Sequence, residues 1–276
     1  MALLEIQPTA REILERNRLE YDDAVDPYWV HTVYEPTHAG WCFANIGGRT
    51  VLDAICREAP LRPGDHALEI CCGMGDTCRY IAENSGCSVT GVEWNPRQVE
   101  RAMGRRGLLP AGLASRLRFL KADAQAWRPD CLYDAVYAVE GLMCLADRDA
   151  ALDSCVAALR PRGAIFLAEV FAGPAMSAEL ARFIWEEDGI LNLPTPEEQC
   201  ELLRARGLDT AFGCLAPLSL NCFGNMVRES EKHRELLVKA KGAERFARWL
   251  RNARIYLRAF ETGELTYALV RGRKSA

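Results

Sequence analysis

The 276-residue sequence predicts an α/β fold: a doubly wound, mostly parallel seven-stranded sheet with an N-terminal helical cap and helical insertions after strands five and six. Three observations carry that prediction. Short apolar runs alternate with amphipathic stretches from Gly48 to Phe171, as strands alternate with helices. A glycine-rich turn, "CCGMGDTC", follows the first apolar run and opens a helix. Beyond Phe171 the alternation stops, and mainly helical segments surround two further strands.

The elements follow in order. Pro8–Tyr21 has helical spacing at Ile13, Leu14 and Leu19, and an irregular aromatic segment, "YDDAVDPYWVHTVYEPTHAGWCF", comes next; residues 1–47 are expected to form a cap over the site. The helix "RTVLDAICREA" then leads through the turn "PLRPGD" to a strand at His66–Cys71. After the glycine turn, the helix "DTCRYIAENSG" ends at Gly86. The strand "SVTGVEW" precedes a helix opening at "NPRQVERAMGRR", where Asn95 suits the N-cap and Pro96 the first helical position. Strands "LRFLKAD" and "YDAVYAV", the helix "DRDAALDSCVAAL", the turn "RPRG" and the strand "GAIFLAEVF" complete the alternation. Insertions are expected at about 171–206 and 221–261, around a strand near "DTAFGCLAPLS", and "LTYALVRG" is the final strand. Residues 48–276 thus read as one domain, with its ligand at the carboxyl ends of the strands.

Composition sets limits on partners. Hydrophobic residues make up 49% and charged residues 26%, ordinary for a soluble globular protein, and no apolar run approaches the length of about 20 residues that crosses a bilayer. The N-terminus shows no basic leader or small-residue cleavage site, so the expected location is the cytoplasm. A net charge of −4 and a pI near 5.7 argue against a nucleic-acid partner. The expected partner is a small molecule, and a homodimer is an assembly the sequence allows. The twelve cysteines include no C-x-x-C pair, so reduced core thiols are expected and a metal site is not.

The glycine turn by itself lets backbone approach a ligand. A phosphate-binding loop would need a lysine that "CCGMGDTC" lacks, and a dinucleotide fingerprint would need a glycine where Cys78 stands. The strand ends supply acidic groups instead. Glu93 is placed to accept hydrogen bonds from two ribose hydroxyls, Asp123 can accept from an exocyclic amine, and Glu69 can orient an ammonium group while Gly73 and Gly75 make room. Ribose, amine and ammonium without phosphate describe S-adenosyl-L-methionine.

On "LEICCGMG", "VTGVEWNPRQVERA", "LKADAQAW" and "YDAVYAVEGLMCL", in that order and spacing, the sequence resembles the Rossmann-like class I S-adenosylmethionine-dependent methyltransferases. "YDDAVDP", "THAGW" and "VYAVEGLMCLADRDAAL" extend the resemblance to the small-molecule branch that includes sterol C-methyltransferases, tocopherol methyltransferases and natural-product sugar O-methyltransferases. The resemblance implies that Tyr21, Trp41, Glu69, Cys71, Gly73, Gly75, Glu93, Trp94, Gln98, Asp123, Ala124, Val139 and Glu140 bind the methyl donor, which leaves as S-adenosyl-L-homocysteine. Two departures stand out. Cys71 replaces the usual first glycine of the turn, and the histidine that sugar O-methyltransferases carry near Met143–Cys144 is absent.

Methyl transfer is an in-line displacement, so alignment and exclusion of water come first, and a base is needed only for some acceptors. The candidates are Glu140, in the acidic position of the sterol enzymes, Glu169, in that of the sugar enzymes, and His38 in the cap; His31 reads as an ordinary histidine. Tyr21, Tyr34 and Trp41 are the aromatic groups available to close over a sulfonium. Phe171, Met176, Phe183, Trp185, Phe223 and Met226 are enough for an apolar acceptor pocket. Without the histidine, N- or C-methylation of a small, partly apolar metabolite is favoured over O-methylation. The alternatives are a donor-binding protein that transfers no methyl group and, suggested by Cys78 at a position resembling that of arsenite methyltransferases, methylation of a thiol or metalloid.

Overall fold

A computed structural model describes residues 45–190 and 193–276. The expected cap, with Tyr21, His31, Tyr34, His38 and Trp41, lies outside the described residues. The elements are α1 (Gly48–Glu58), β1 (His66–Ile70), α2 (Asp76–Ser85), β2 (Ser88–Glu93), α3 (Pro96–Gly107), α4 (Ala111–Ala114), β3 (Leu117–Lys121) and β4 (Tyr133–Val139). A 3₁₀ turn at Leu142–Cys144 follows, then α5 (Arg148–Ala158), β5 (Leu159–Ala172), α6 (Ala178–Asp188) and α7 (Pro196–Arg204). Next come β6 (Leu208–Cys214), α8 (Ala216–Lys232), α9 (Arg234–Lys241), α10 (Ala243–Thr262) and β7 (Leu265–Lys274).

The seven strands are ordered β3-β2-β1-β4-β5-β7-β6. The pairs from β3 to β5 are parallel, whereas β7 runs antiparallel to both β5 and β6. Strand order reverses between β1 and β4, which opens a crevice at their carboxyl ends. Side chains alternate across the sheet, so β5 sends Phe166 and Ala168 into one core and Ile165 and Leu167 into the other.

Local chemistry fixes the helix starts. The Asn95 side chain accepts from Arg97 N and Gln98 N ahead of Pro96, and Thr195 and Glu198 form a capping box at α7. Two expectations are corrected. "RPRG" is not a turn before β5 but a bulge inside it: Leu159 pairs with Tyr133, Ala164 with Ala135, and Arg162 takes φ 65° between them. "LAPLS" does not continue the sixth strand; the chain turns helical at Ala216, ahead of Pro217, and the insertion begins there. No described helix is long and apolar enough to cross a membrane.

Candidate active site

The turn after β1 is built from left-handed backbone. Cys71, Gly73 and Gly75 have φ of 55°, 52° and 77°, and Cys72 N donates to Val92 O at 3.1 Å. A Cβ on Gly73 would meet nothing within 4 Å, so this glycine faces open space. A Cβ on Gly75 would lie 2.5 Å from the Phe119 ring, so this glycine lets the turn pack closely on β3.

Glu69 is also corrected. It is 2% exposed and turns inward, accepting from Thr77 Oγ1 and, at 2.8 Å, from Cys78 Sγ. Burial pushes its carboxyl up to about 7 against those two bonds. Glu69 therefore ties the end of β1 to the first turn of α2 and does not face an ammonium group. Cys78 is fully buried in that bond, with its thiol pushed well above the ordinary range by burial, which leaves no exposed thiolate there.

Glu93 spans two loops. Its Oε2 accepts from Gly73 N at 3.0 Å and its Oε1 from Asn95 N at 2.9 Å, and burial raises its pKa while these amides oppose the shift. Asp123 holds an Asx turn, its Oδ1 accepting from both N and Nε2 of Gln125 at 2.9 Å. Cys71, Trp94, Asp123, Ala124, Gln125 and Leu145 line a narrow recess. Val92 and Ala122 complete the lining; Cys71, Trp94, Asp123 and Ala124 are among the residues expected at a ligand from sequence, and Val92, Ala122, Gln125 and Leu145 are not. Gln98 is buried in the first turn of α3, and Val139 ends β4 half-buried against the first core.

After β4, Glu140 takes φ 55°, donates its N–H to Ala168 O at 2.8 Å and accepts from Ile46 N at 2.6 Å on Oε1. Burial pushes its carboxyl up to about 8; Tyr267 and the Ile46 amide oppose the shift and Glu169 adds to it. The Tyr267 hydroxyl stands close to Glu140 but finds no hydrogen-bond partner of normal geometry. A Cβ on Gly141 would lie 2.5 Å from Cys71 Cβ, so the turns after β1 and β4 pack directly on each other.

Residues 67–163, from β1 into β5, match the methyltransferase domain family. These residues form a methyltransferase domain. The chain is 29% identical over 211 residues to 27-O-demethylrifamycin SV methyltransferase of Amycolatopsis mediterranei, covering 74% of this chain and 75% of that one. It is 36% identical over 87 residues to a sterol 24-C-methyltransferase of Gibberella zeae, covering 31% of this chain and 22% of that one. A phosphoethanolamine N-methyltransferase 2 of Haemonchus contortus, solved with phosphomonomethylethanolamine and S-adenosylhomocysteine, has the same fold at a TM-score of 0.82 and 18% identity over 98% of this chain and 61% of that one.

The residues of this methyltransferase fit its cofactor, S-adenosylmethionine. Gly73 offers an open flank, and the recess joins Trp94, Ala124 and Asp123 beside the Glu93 carboxylate. Glu93 would hold the ribose and Asp123 the adenine amine. No group of three or more histidine, cysteine or acidic side chains among the described residues is placed to hold a metal ion.

Met176, Ala181, Ile184, Ile190 and Leu193 line a cavity of about 250 Å³ at the carboxyl end of β5. Of the six apolar residues expected to form an acceptor pocket, only Met176 reaches it. Phe171 is buried in the opposite core, Phe223 stacks on Tyr256 with centroids 5.4 Å apart, Phe183 meets Tyr256 edge-on, and Trp185 and Met226 are packed.

Proposed function

We propose that this methyltransferase transfers a methyl group to a nitrogen or carbon atom of a small, partly apolar metabolite. The observation that supports it best is a carboxyl group, Glu140, at the carboxyl end of β4, where Met143 and Cys144 replace an imidazole. When bound, S-adenosylmethionine supplies an electrophilic methyl group on a sulfonium. The chain's own part is to orient and to manage one proton. Glu93 and Asp123 fix the donor from the β2 and β3 side, and the Cys71–Gly141 contact walls it from β4. Glu140, with a carboxyl near 8, is able to hold or accept a proton at neutral pH, as attack by carbon requires, whereas a neutral amine attacks unaided. The cavity at the end of β5 supports an apolar body on the acceptor.

The described cysteines are all free thiols, which supports a reducing, cytoplasmic setting. The test uses methyl-labelled S-adenosylmethionine with a metabolite extract, the products being separated by mass spectrometry. Label on nitrogen or carbon is expected. Label on an ether oxygen overturns the choice of atom, and tight binding of S-adenosylhomocysteine with no label transferred overturns the activity.

A further inference from the structure

The buried polar groups under the turn after β4 are not used by the chemistry above. Glu169 is 3% exposed, and its Oε1 accepts from Gly141 N and Leu142 N, both at 3.0 Å. Its Oε2 is buried without a hydrogen-bond partner. Burial raises its pKa to about 7, and the Arg148 guanidinium is the largest influence opposing that rise. Arg148, at the start of α5, also donates from Nη1 to Gln199 Oε1 at 3.4 Å, and Gln199 Nε2, on α7, is buried without a partner. The amide orientation follows from the chemistry, because a guanidinium only donates.

We propose that Glu169 is a positioning residue: through Gly141 N and Leu142 N it fixes the Gly141–Cys144 turn that follows Glu140 and braces Cys71 at the donor recess. The proposal rests on the methyl-donor reading of that recess. Its geometry is one-sided, since Oε1 is spent on turn amides and Oε2 is sealed from solvent, so Glu169 acts on the site through the turn and not on the acceptor. Leu145, the next residue after the turn, lines the recess itself, which gives the turn a direct route to donor affinity.

The test compares Glu169→Gln with Glu169→Leu in the whole chain. Glutamine keeps a carbonyl for the two amides, and leucine keeps the volume only. Two readouts are used: calorimetric titration with S-adenosylhomocysteine, and hydrogen exchange of the peptide spanning the turn. The expected result is a dissociation constant raised at least tenfold in Glu169→Leu, with faster exchange of the Gly141 and Leu142 amides, and recovery to within about threefold in Glu169→Gln. Equal damage from both variants overturns it, as does a folded Glu169→Leu protein with unchanged affinity and exchange. Should the leucine variant not fold, Glu169→Met takes its place: a threefold or greater loss of affinity is expected, and no change overturns the proposal. If wild type itself does not bind S-adenosylhomocysteine, the donor reading has failed, an outcome separate from any difference among variants.

Discussion

Replacing Glu93 by alanine removes the group on which the proposed donor site is centred. In the structure its two oxygens each hold a backbone amide, Gly73 N at 3.0 Å and Asn95 N at 2.9 Å. A hydrogen bond to a charged group is worth about 1.5–3 kcal/mol. Loss of the two proposed ribose contacts should therefore cost binding about 3–6 kcal/mol, or roughly 10²- to 10⁴-fold in affinity. The two amides lose their acceptor as well, which lowers stability by about 1–3 kcal/mol for each one left buried. Calorimetry with S-adenosylhomocysteine reads the first effect and thermal unfolding the second. Glu93→Gln, which can still accept from one amide but presents a donor to the other, falls between the two proteins. A folded Glu93→Ala protein that binds within threefold of wild type would show that the carboxylate is a loop tie only.

Cys71→Gly should leave donor affinity within about threefold, since glycine takes the 55° φ without the roughly 1–3 kcal/mol that a side chain costs there; a large calorimetric loss would reveal a role for the thiol. Gly75→Ala should lower stability by about 1–3 kcal/mol, through the clash with Phe119, and Gly73→Ala should weaken donor binding, since its Cβ enters the open flank; the reverse assignment refutes the division between them. Glu69, Glu140 and Glu169 have carboxyls raised from 4.5 to about 7, 8 and 7. The folded state then holds more protons than the unfolded state between those values. These groups contribute stability that is fully present below 4.5 and lost as pH rises through 7 and 8. Urea unfolding of wild type against Glu140→Gln should show the gap between them widening in the variant's favour from pH 5 to 9, and a gap that narrows contradicts the assignment.

The donor half was legible because its chemistry is local. Each acidic group sits at or just after a strand end, and strand ends are readable from apolar runs, so the positions of Glu93 at the end of β2 and Asp123 just after β3 could be read from sequence. The acceptor half depends on long-range contacts. Glu140 is held by Ile46, a separation of 94 residues, and Arg148 by Gln199, a separation of 51, and no pattern in either segment announces its partner. Gly75 shows the same limit on a smaller scale. A glycine in a ligand-binding turn and a glycine under an aromatic ring look alike until β3 places Phe119. The "RPRG" bulge was misread because Pro and Gly mark turns in most contexts, and here pairing with β4 carries the strand through them.

The bridge from Gly73 to Glu93 has a consequence for assembly of the sheet. It joins the loops that follow two parallel strands, 20 residues apart, and it can form only when β1 and β2 are paired in register, Glu69 opposite Gly91 and Ile70 opposite Val92. A slip of one residue would carry Glu93 to the other face of the sheet. A ligand that needs the bridge thus binds correctly zipped chains alone, and at a concentration 100 times its dissociation constant it favours them by about 2.7 kcal/mol. On the proposed donor site, the methyl donor would double as a selector of strand register at the centre of the fold.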